Sequence, residues 1–231
     1  DENGHIILGQ NAFLDSFIHF MKKIIPAGML NSLSQVMIKL TAPGVPDIYQ
    51  GNESWNFSLV DPDNRREVDY SYLLKLLEEC EKITSKEDLE SMIEYPEDGK
   101  IKFYLTKKCL EVRQESYSLF SKGTYHPLEI IGGKSKYVVG FARIFENQII
   151  LSLSGRFFSS MLTENGSAVK VLAHRWQNTM VKLPLESPCI SFRNRLTNEI
   201  IECVEREGEQ FLDLEKVFSI LPMALLEGMI L

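Results

Sequence analysis

The run Leu33-Ser34-Gln35-Val36-Met37-Ile38-Lys39-Leu40-Thr41-Ala42-Pro43-Gly44-Val45-Pro46-Asp47-Ile48-Tyr49-Gln50-Gly51-Asn52-Glu53, closed by Asp61-Pro62-Asp63-Asn64-Arg65-Arg66, carries more information than any other stretch of this chain. Leu33, Val36 and Leu40 recur at helical spacing, which predicts a short amphipathic helix over Asn31–Thr41 with one face in a core. Pro43 and Gly44 end it, since proline lacks the amide donor and disfavours helix in the residue before it. A very short strand is predicted over Val45–Tyr49. It opens into a loop in which Tyr49, Gln50, Asn52, Glu53 and Trp55 crowd together. Aromatic faces stack on sugar rings, and amides and carboxylates bond to their hydroxyls. Loops that follow strand ends are where α/β barrels place their chemistry.

Outward from this run, the composition narrows the field. The chain has 231 residues, 44% hydrophobic and 25% charged, the balance of an ordinary globular protein with one large domain or two smaller ones. Its net charge of −7 argues against nucleic acid as a partner, because phosphate backbones call for clustered Lys and Arg. Cys80, Cys109, Cys189 and Cys203 stand far apart with no C-x-x-C pair, so neither a zinc site nor a disulfide framework is expected. Scattered thiols point to a reducing compartment. There is no signal peptide and no apolar run near the ~20 residues of a membrane span. The expected location is cytoplasmic, and Asp1 in place of Met points to a fragment.

The organisation changes character midway. A helix over Asn11–Ile25, with Phe13, Phe17, Phe20, Met21 and Ile24 on one side, is predicted to end at Pro26 and Gly28. Leu73, Leu76, Leu77 and Cys80 mark another helix, and Ser85 with Asp88 resembles a capping start for one reaching Tyr95. Glu97-Asp98-Gly99 reads as a turn, and Ile101–Ser121 as a helix stopped by Gly123. Beyond lie β-rich runs at Lys136–Phe145, Gln148–Leu153, Ala168–Trp176, Thr179–Leu183, Cys189–Arg195, Glu199–Arg206 and Gln210–Leu214, at the spacing of a sandwich or barrel. The first part has a single strand and no sheet of its own, so it should leave apolar surface bare.

The quoted run, with Asn31-Ser32 before it and Leu59-Val60 before its closing segment, resembles maltooligosyltrehalose synthase, of the α-amylase superfamily. Phe120-Ser121-Lys122-Gly123-Thr124-Tyr125-His126-Pro127-Leu128, Val139-Gly140-Phe141-Ala142-Arg143, Trp176-Gln177-Asn178-Thr179 and Phe218-Ser219-Ile220-Leu221-Pro222 fall in the family's order and extend the resemblance to nearly the whole chain. Ser54 and Glu67 depart from the family pattern, where bulkier residues or proline are expected. The resemblance implies an α+β chain: residues 1–85 as the last units of a catalytic (β/α)8 barrel including strand eight, 86–123 as a helical connector, and 124–231 as a β-sandwich-like C-terminal domain.

It also implies an activity. The family converts the reducing-end α-1,4 link of maltooligosaccharides into an α,α-1,1 link through a covalent glycosyl-enzyme, holding the freed glucose for re-attack, with no cofactor or metal. Such chemistry needs a nucleophilic carboxylate and a general acid about 5 Å apart. In the superfamily the carboxylates lie at the ends of strands four, five and seven, so no catalytic residue maps onto this chain. The expected contribution is to substrate binding, through Tyr49, Gln50, Glu53, Trp55, Asp63, Asn64 and Arg65. Its expected partners are the maltooligosaccharide and the N-terminal remainder of the barrel.

Other readings compete. Asp-Pro and Asp-Asn are turn chemistry, and Arg65 pairing with a carboxylate would brace the loop rather than touch sugar. Calcium at Asp61, Asp63 and Asn64 fails on spacing, because Arg66 and Tyr72 stand where an EF-hand needs Gly and Glu. His5, His19, His126 and His174 form no i, i+4 pair, Ser32 and Ser34 lack a nucleophile-elbow context, and Gly132-Gly133 reads as a turn. The chain as a carbohydrate-binding module would use its β-rich part as the platform, with Trp176 as the stacking residue. A split-enzyme assembly subunit and another α-amylase-superfamily hydrolase or glucanotransferase are the remaining alternatives.

Overall fold

The structure is a computed structural model that describes residues 11–162, 169–184, 189 and 191–230. His5 and Ala168, among the residues weighed above, lie outside them. Five helices come first: α1 (Ala12–Thr41), α2 (Tyr70–Glu81), α3 (Lys86–Glu94), α4 (Lys100–Glu115) and α5 (Tyr117–Lys122). Ten short strands follow, interrupted by α6 (Leu214–Val217). The fold is α+β, and its described sheets are antiparallel.

One long helix replaces the two expected at the start. Asn11 caps α1 by accepting the Leu14 amide at 3.1 Å, and the helix then runs through Pro26 to Thr41. Proline removes one backbone bond, a defect of ~3 kcal/mol in an interior turn. Burial outweighs it, for Leu30, Leu33, Met37 and Leu40 are fully buried, each worth about 1.5–3 kcal/mol. These side chains wedge between α4 and the sheet. Ser34 Oγ donates to Gly155 O at 3.0 Å, and Thr41 Oγ1 to Ser152 Oγ at 2.9 Å. The N-terminal half of α1 is bare: Phe13, Phe17, Phe20, Ile24 and Ile25 are exposed, Phe13 by 76%.

The strand expected over Val45–Tyr49 forms no ladder. Before Thr124 the described residues contain no strand, so this segment has no neighbour to pair with. The other helices follow the pattern more closely. Ser85 and Asp88 make the reciprocal capping box at the start of α3, and backbone amides of Ser85 and Thr84 hold the Asp88 carboxyl below its ordinary range. The helix expected over Ile101–Ser121 breaks at Ser116 into α4 and α5.

Arg143 ties α5 to the sheet. Its buried guanidinium donates to the carbonyls of Leu119 (3.3 Å), Phe120 (3.0 Å), Gly123 (2.9 Å) and Thr124 (3.1 Å), satisfying acceptors that a helix end leaves open. Gly123 is required here, since a Cβ would lie 2.3 Å from Leu119 O.

The strands are β1 (Thr124–Pro127), β2 (Glu129–Gly132), β3 (Val138–Phe145), β4 (Gln148–Gly155), β5 (Thr179–Lys182), β6 (Ser191–Asn194), β7 (Ile200–Glu202), β8 (Val204–Arg206), β9 (Glu209–Asp213) and β10 (Met223–Met229). Six form one sheet in the order β1-β3-β4-β10-β6-β7, and four a second in the order β2-β5-β9-β8. β10 is central in the larger sheet, with Leu226 opposite Leu151 of β4 and Asn194 of β6. No alternation announces it: Met223 to Leu226 are all buried, as befits a strand covered on both faces.

The β-rich run at 168–176 is not a strand. Its described part ends in a 3-10 turn, Ala173–Trp176, which carries the Trp176 indole into the core against Phe218, ring centroids 4.9 Å apart. Trp176 is fully buried, so it is no platform for sugar. Trp176→Ala should lower unfolding stability by about 3–5 kcal/mol, read as a drop in the urea midpoint; a change below 1 kcal/mol would contradict this packing.

Candidate functional site

The segment between α1 and α2 is built almost wholly from polar anchors. Arg113 of α4 donates to the carbonyls of Leu40 (3.0 Å) and Gly44, fixing where the chain leaves α1. Lys39 Nζ bonds to Asp47 O at 3.1 Å, and the Asn52 amide closes a turn onto Tyr49 O at 3.0 Å. Trp55 Nε1 donates to Pro96 O at 2.6 Å, which pins the indole to the segment before α4. Ser54 is buried beneath it against Gly99, in the left-handed region at φ 74°, where a Cβ would come within 1.9 Å of Ser54 Oγ. The small Ser54 is explained by this contact.

The Asp61–Arg66 turn braces itself. Arg65 forks onto Asp61 (3.2 and 2.8 Å), and this bond raises the pKa of Arg65. Asp63 accepts the Leu59 amide at 2.7 Å and pairs with Arg66; the amide first, then the guanidinium, hold its carboxyl below the ordinary value. Asp69 caps α2 through the Tyr72 amide at 2.9 Å, and Tyr72 Oη donates to Asp98 O. Burial and the Asp98 charge push the Tyr72 phenol up.

These anchors enclose an open cleft of about 410 Å³. Trp55 and Phe57 line it with near-parallel rings, 19° apart and 6.3 Å between centroids. Gln50, Asp63 and Asn64 reach it from the loops, and Asp69 and Tyr72 from the start of α2. Asn64 Oδ1 is buried behind this wall without a hydrogen-bond partner among the described residues. The arrangement offers apolar rings beside amide and carboxylate groups. That combination has the chemistry to stack on and hydrogen-bond to a hydroxylated ring.

Of the seven residues singled out from sequence, Gln50, Trp55, Asp63 and Asn64 meet at this cleft. Tyr49, Glu53 and Arg65 are not in its wall. Tyr49 is exposed, Arg65 is occupied by Asp61, and Glu53 lines a separate apolar depression of about 310 Å³ with Phe103 and Leu110. Sequence reading missed Phe57, Asp69 and Tyr72, although Asp69 before Tyr70-Ser71-Tyr72 is a legible helix cap. Among the described residues no group of three His, Cys, Asp or Glu could hold a metal ion, and no helix is long and apolar enough to cross a membrane.

No family model matches the chain. The fold is that of α-amylase-like enzymes: a maltogenic α-amylase from Thermotoga neapolitana superposes over 86% of this chain with a TM-score of 0.51 at 14% identity. In sequence and structure the chain is similar to maltooligosyltrehalose synthases. It is 36% identical over 113 residues, 49% of its length, to a Mycobacterium tuberculosis protein named as a maltooligosyl trehalose synthase. The maltooligosyltrehalose synthase structure from Arthrobacter ramosus covers 96% of the chain with a TM-score of 0.73 at 26% identity, and another such synthase gives 0.62 at 30%. The chain matches a C-terminal portion of these proteins, spanning a quarter of the length of either structure; the match to the M. tuberculosis protein covers 12% of that protein.

Two outcomes follow from the anchors. Gly99→Ala should destabilise the chain by about 1–3 kcal/mol and shift Trp55 emission, measured by denaturant unfolding followed by fluorescence. The lowered Asp63 value means its bond to Leu59 is fully present above 3.8, the ordinary carboxyl value, and is lost as pH falls through the lowered one. The Leu59 amide resonance should therefore move only below pH 3.8, and not at all in Asp63→Ala.

Proposed function

We propose that this chain is the C-terminal part of an enzyme that isomerises the reducing-end α-1,4 bond of maltooligosaccharides to the α,α-1,1 bond of a trehalose end. In this reading the cleft at Trp55, Asn64 and Tyr72 forms one wall of the sugar pocket. The observation that carries it is the Trp55–Phe57 ring pair beside the Gln50 amide and the Asp63 carboxylate in one cleft, in a chain similar to maltooligosyltrehalose synthases. Stacking would orient the glucose ring, and the Gln50 amide and the Asp63 carboxylate would bond to its hydroxyls. Held so, a freed glucose re-attacks before it escapes, the gain that comes from replacing an encounter by a positioned neighbour.

The nucleophile and general acid belong, in this proposal, to sequence outside the chain. The bare Phe13, Phe17, Phe20, Ile24 and Ile25 of α1 support a partner surface there, and the remainder of a barrel is the proposed occupant. Val45–Tyr49, which pairs with nothing among the described residues, is the proposed eighth strand of that barrel. A β-platform reading has lost its stacking residue, because Trp176 is in the core.

Maltopentaose titrated into the chain should shift the Trp55 indole resonance and leave that of Trp176 unmoved. Trp55→Ala should weaken binding roughly tenfold, about 1.4 kcal/mol. The chain alone should form no trehalose ends; robust formation would place the carboxylates within it and overturn the proposal.

A further inference from the structure

Lys102 is a buried cation with no carboxylate at salt-bridge distance among the described residues. It lies in the first turn of α4, is 6% exposed, and interrupts the apolar run Ile101-Lys102-Phe103-Tyr104-Leu105. Packing alone does not call for it, since a methionine fills the same space without the cost of desolvating a charge. What the amine reaches is specific. Nζ donates to Ser54 O at 2.8 Å and stands 5.6 Å from the centre of the Trp55 ring. Ser54 is pressed on Gly99, and the Trp55 indole is bound to Pro96 O. The lysine therefore closes a ring of contacts around the one indole that lines the cleft.

Two charges bear on it. Lys39 of α1 repels its proton, and the Glu53 carboxylate favours it. One oxygen of that carboxylate is buried without a hydrogen-bond partner among the described residues. Burial first, then Lys39, push the Lys102 amine down to about 8. An attraction between a cation and an indole face strengthens when both are shielded from water, and it vanishes with the proton.

We propose that Lys102 is a positioning residue for the cleft: its charged amine, bonded to Ser54 O and set over the Trp55 ring, holds the indole in the cleft wall, and neutralising it lets the ring loosen. The consequence for sugar rests on the function proposed above; the placement of the ring does not. The sign of the stability effect is opposite to that of a structural brace. A buried lysine with a lowered pKa costs stability while charged, a cost relieved as pH rises from about 8 toward 10.5. Lys102→Met should consequently fold at least as well as the wild type at pH 7, yet free Trp55.

Nitrogen-15 indole spectra of the chain test this directly, with Trp176 as the internal reference for an intact fold. In the wild type the Trp55 signal should move between pH 7 and 9 with a midpoint near 8, and the Trp176 signal should not. Lys102→Arg, which keeps the charge, should hold Trp55 near its wild-type position at pH 7 without that titration. Lys102→Met should place it elsewhere at every pH. A Trp55 signal that titrates alike in wild type and Lys102→Met, or is still in the wild type, overturns the proposal. Maltopentaose affinity supplies the second arm: it should fall several-fold from pH 7 to 9 in the wild type and stay level in Lys102→Arg. Absence of sugar binding in every variant at both pH values overturns the function proposed for the cleft, while the indole signal still decides the role of Lys102.

Discussion

The structure depends on the buried stripe of α1. Leu30, Leu33, Met37 and Leu40 are packed between α4 and β4, and Ser34 and Thr41 stitch the same face to backbone and hydroxyl groups of β4. That wedge fixes the direction in which the chain leaves the helix. It also seats α4, whose N-terminal end supplies Gly99 and Lys102 to the Ser54–Trp55 turn. The cleft is thus assembled by helix packing, although nearly every contact within its loops is a hydrogen bond. A helix that ended at Pro26 would leave its second half free to tilt. The unbroken rod does not allow it.

The loops around the cleft spend much of their polarity on themselves. Arg65 is taken by Asp61, Arg66 by Asp63, and Arg113 by the carbonyls at the end of α1. What the cleft still offers includes the Gln50 amide, the Glu67 carboxylate and the faces of Trp55 and Phe57. Sites of this kind gain precision from being over-braced, because few rotamers are left to freeze when a ligand arrives.

Much of this was legible in the residues. The helix start near Asn11, the Ser85–Asp88 box, the Gly123 stop and the polar-aromatic loop after Thr41 are local signals, and local signals survive folding. The same kind of signal points to Gln50, Trp55, Asp63 and Asn64, which the structure brings to one cleft. The errors arose where tertiary burial decides. Pro26 is carried inside a helix by packing that begins at Pro26 itself and runs through Ala27, Met29 and Leu30. Ala173–Trp176 has β-forming composition but turns inward to bury an indole. β10 has no alternation because both its faces are covered. Tyr49 and Glu53 stand beside Gln50 and Ser54 in sequence yet do not line the cleft that those residues line. Lys102 broke an apolar run, and that interruption was the available signal for a buried charge with a task.

The position of β10 carries a consequence for how the molecule is made. It fills the gap between β4 and β6, yet it is synthesised after both. Roughly seventy residues separate Gly155 from Met223, so at about 5–20 residues per second β4 waits several seconds on the ribosome without its partner. During that interval its fully buried stretch Ile149-Ile150-Leu151 presents an unpaired apolar edge. The larger sheet therefore closes only once β10 has emerged, and until then that edge is a hazard for misassociation.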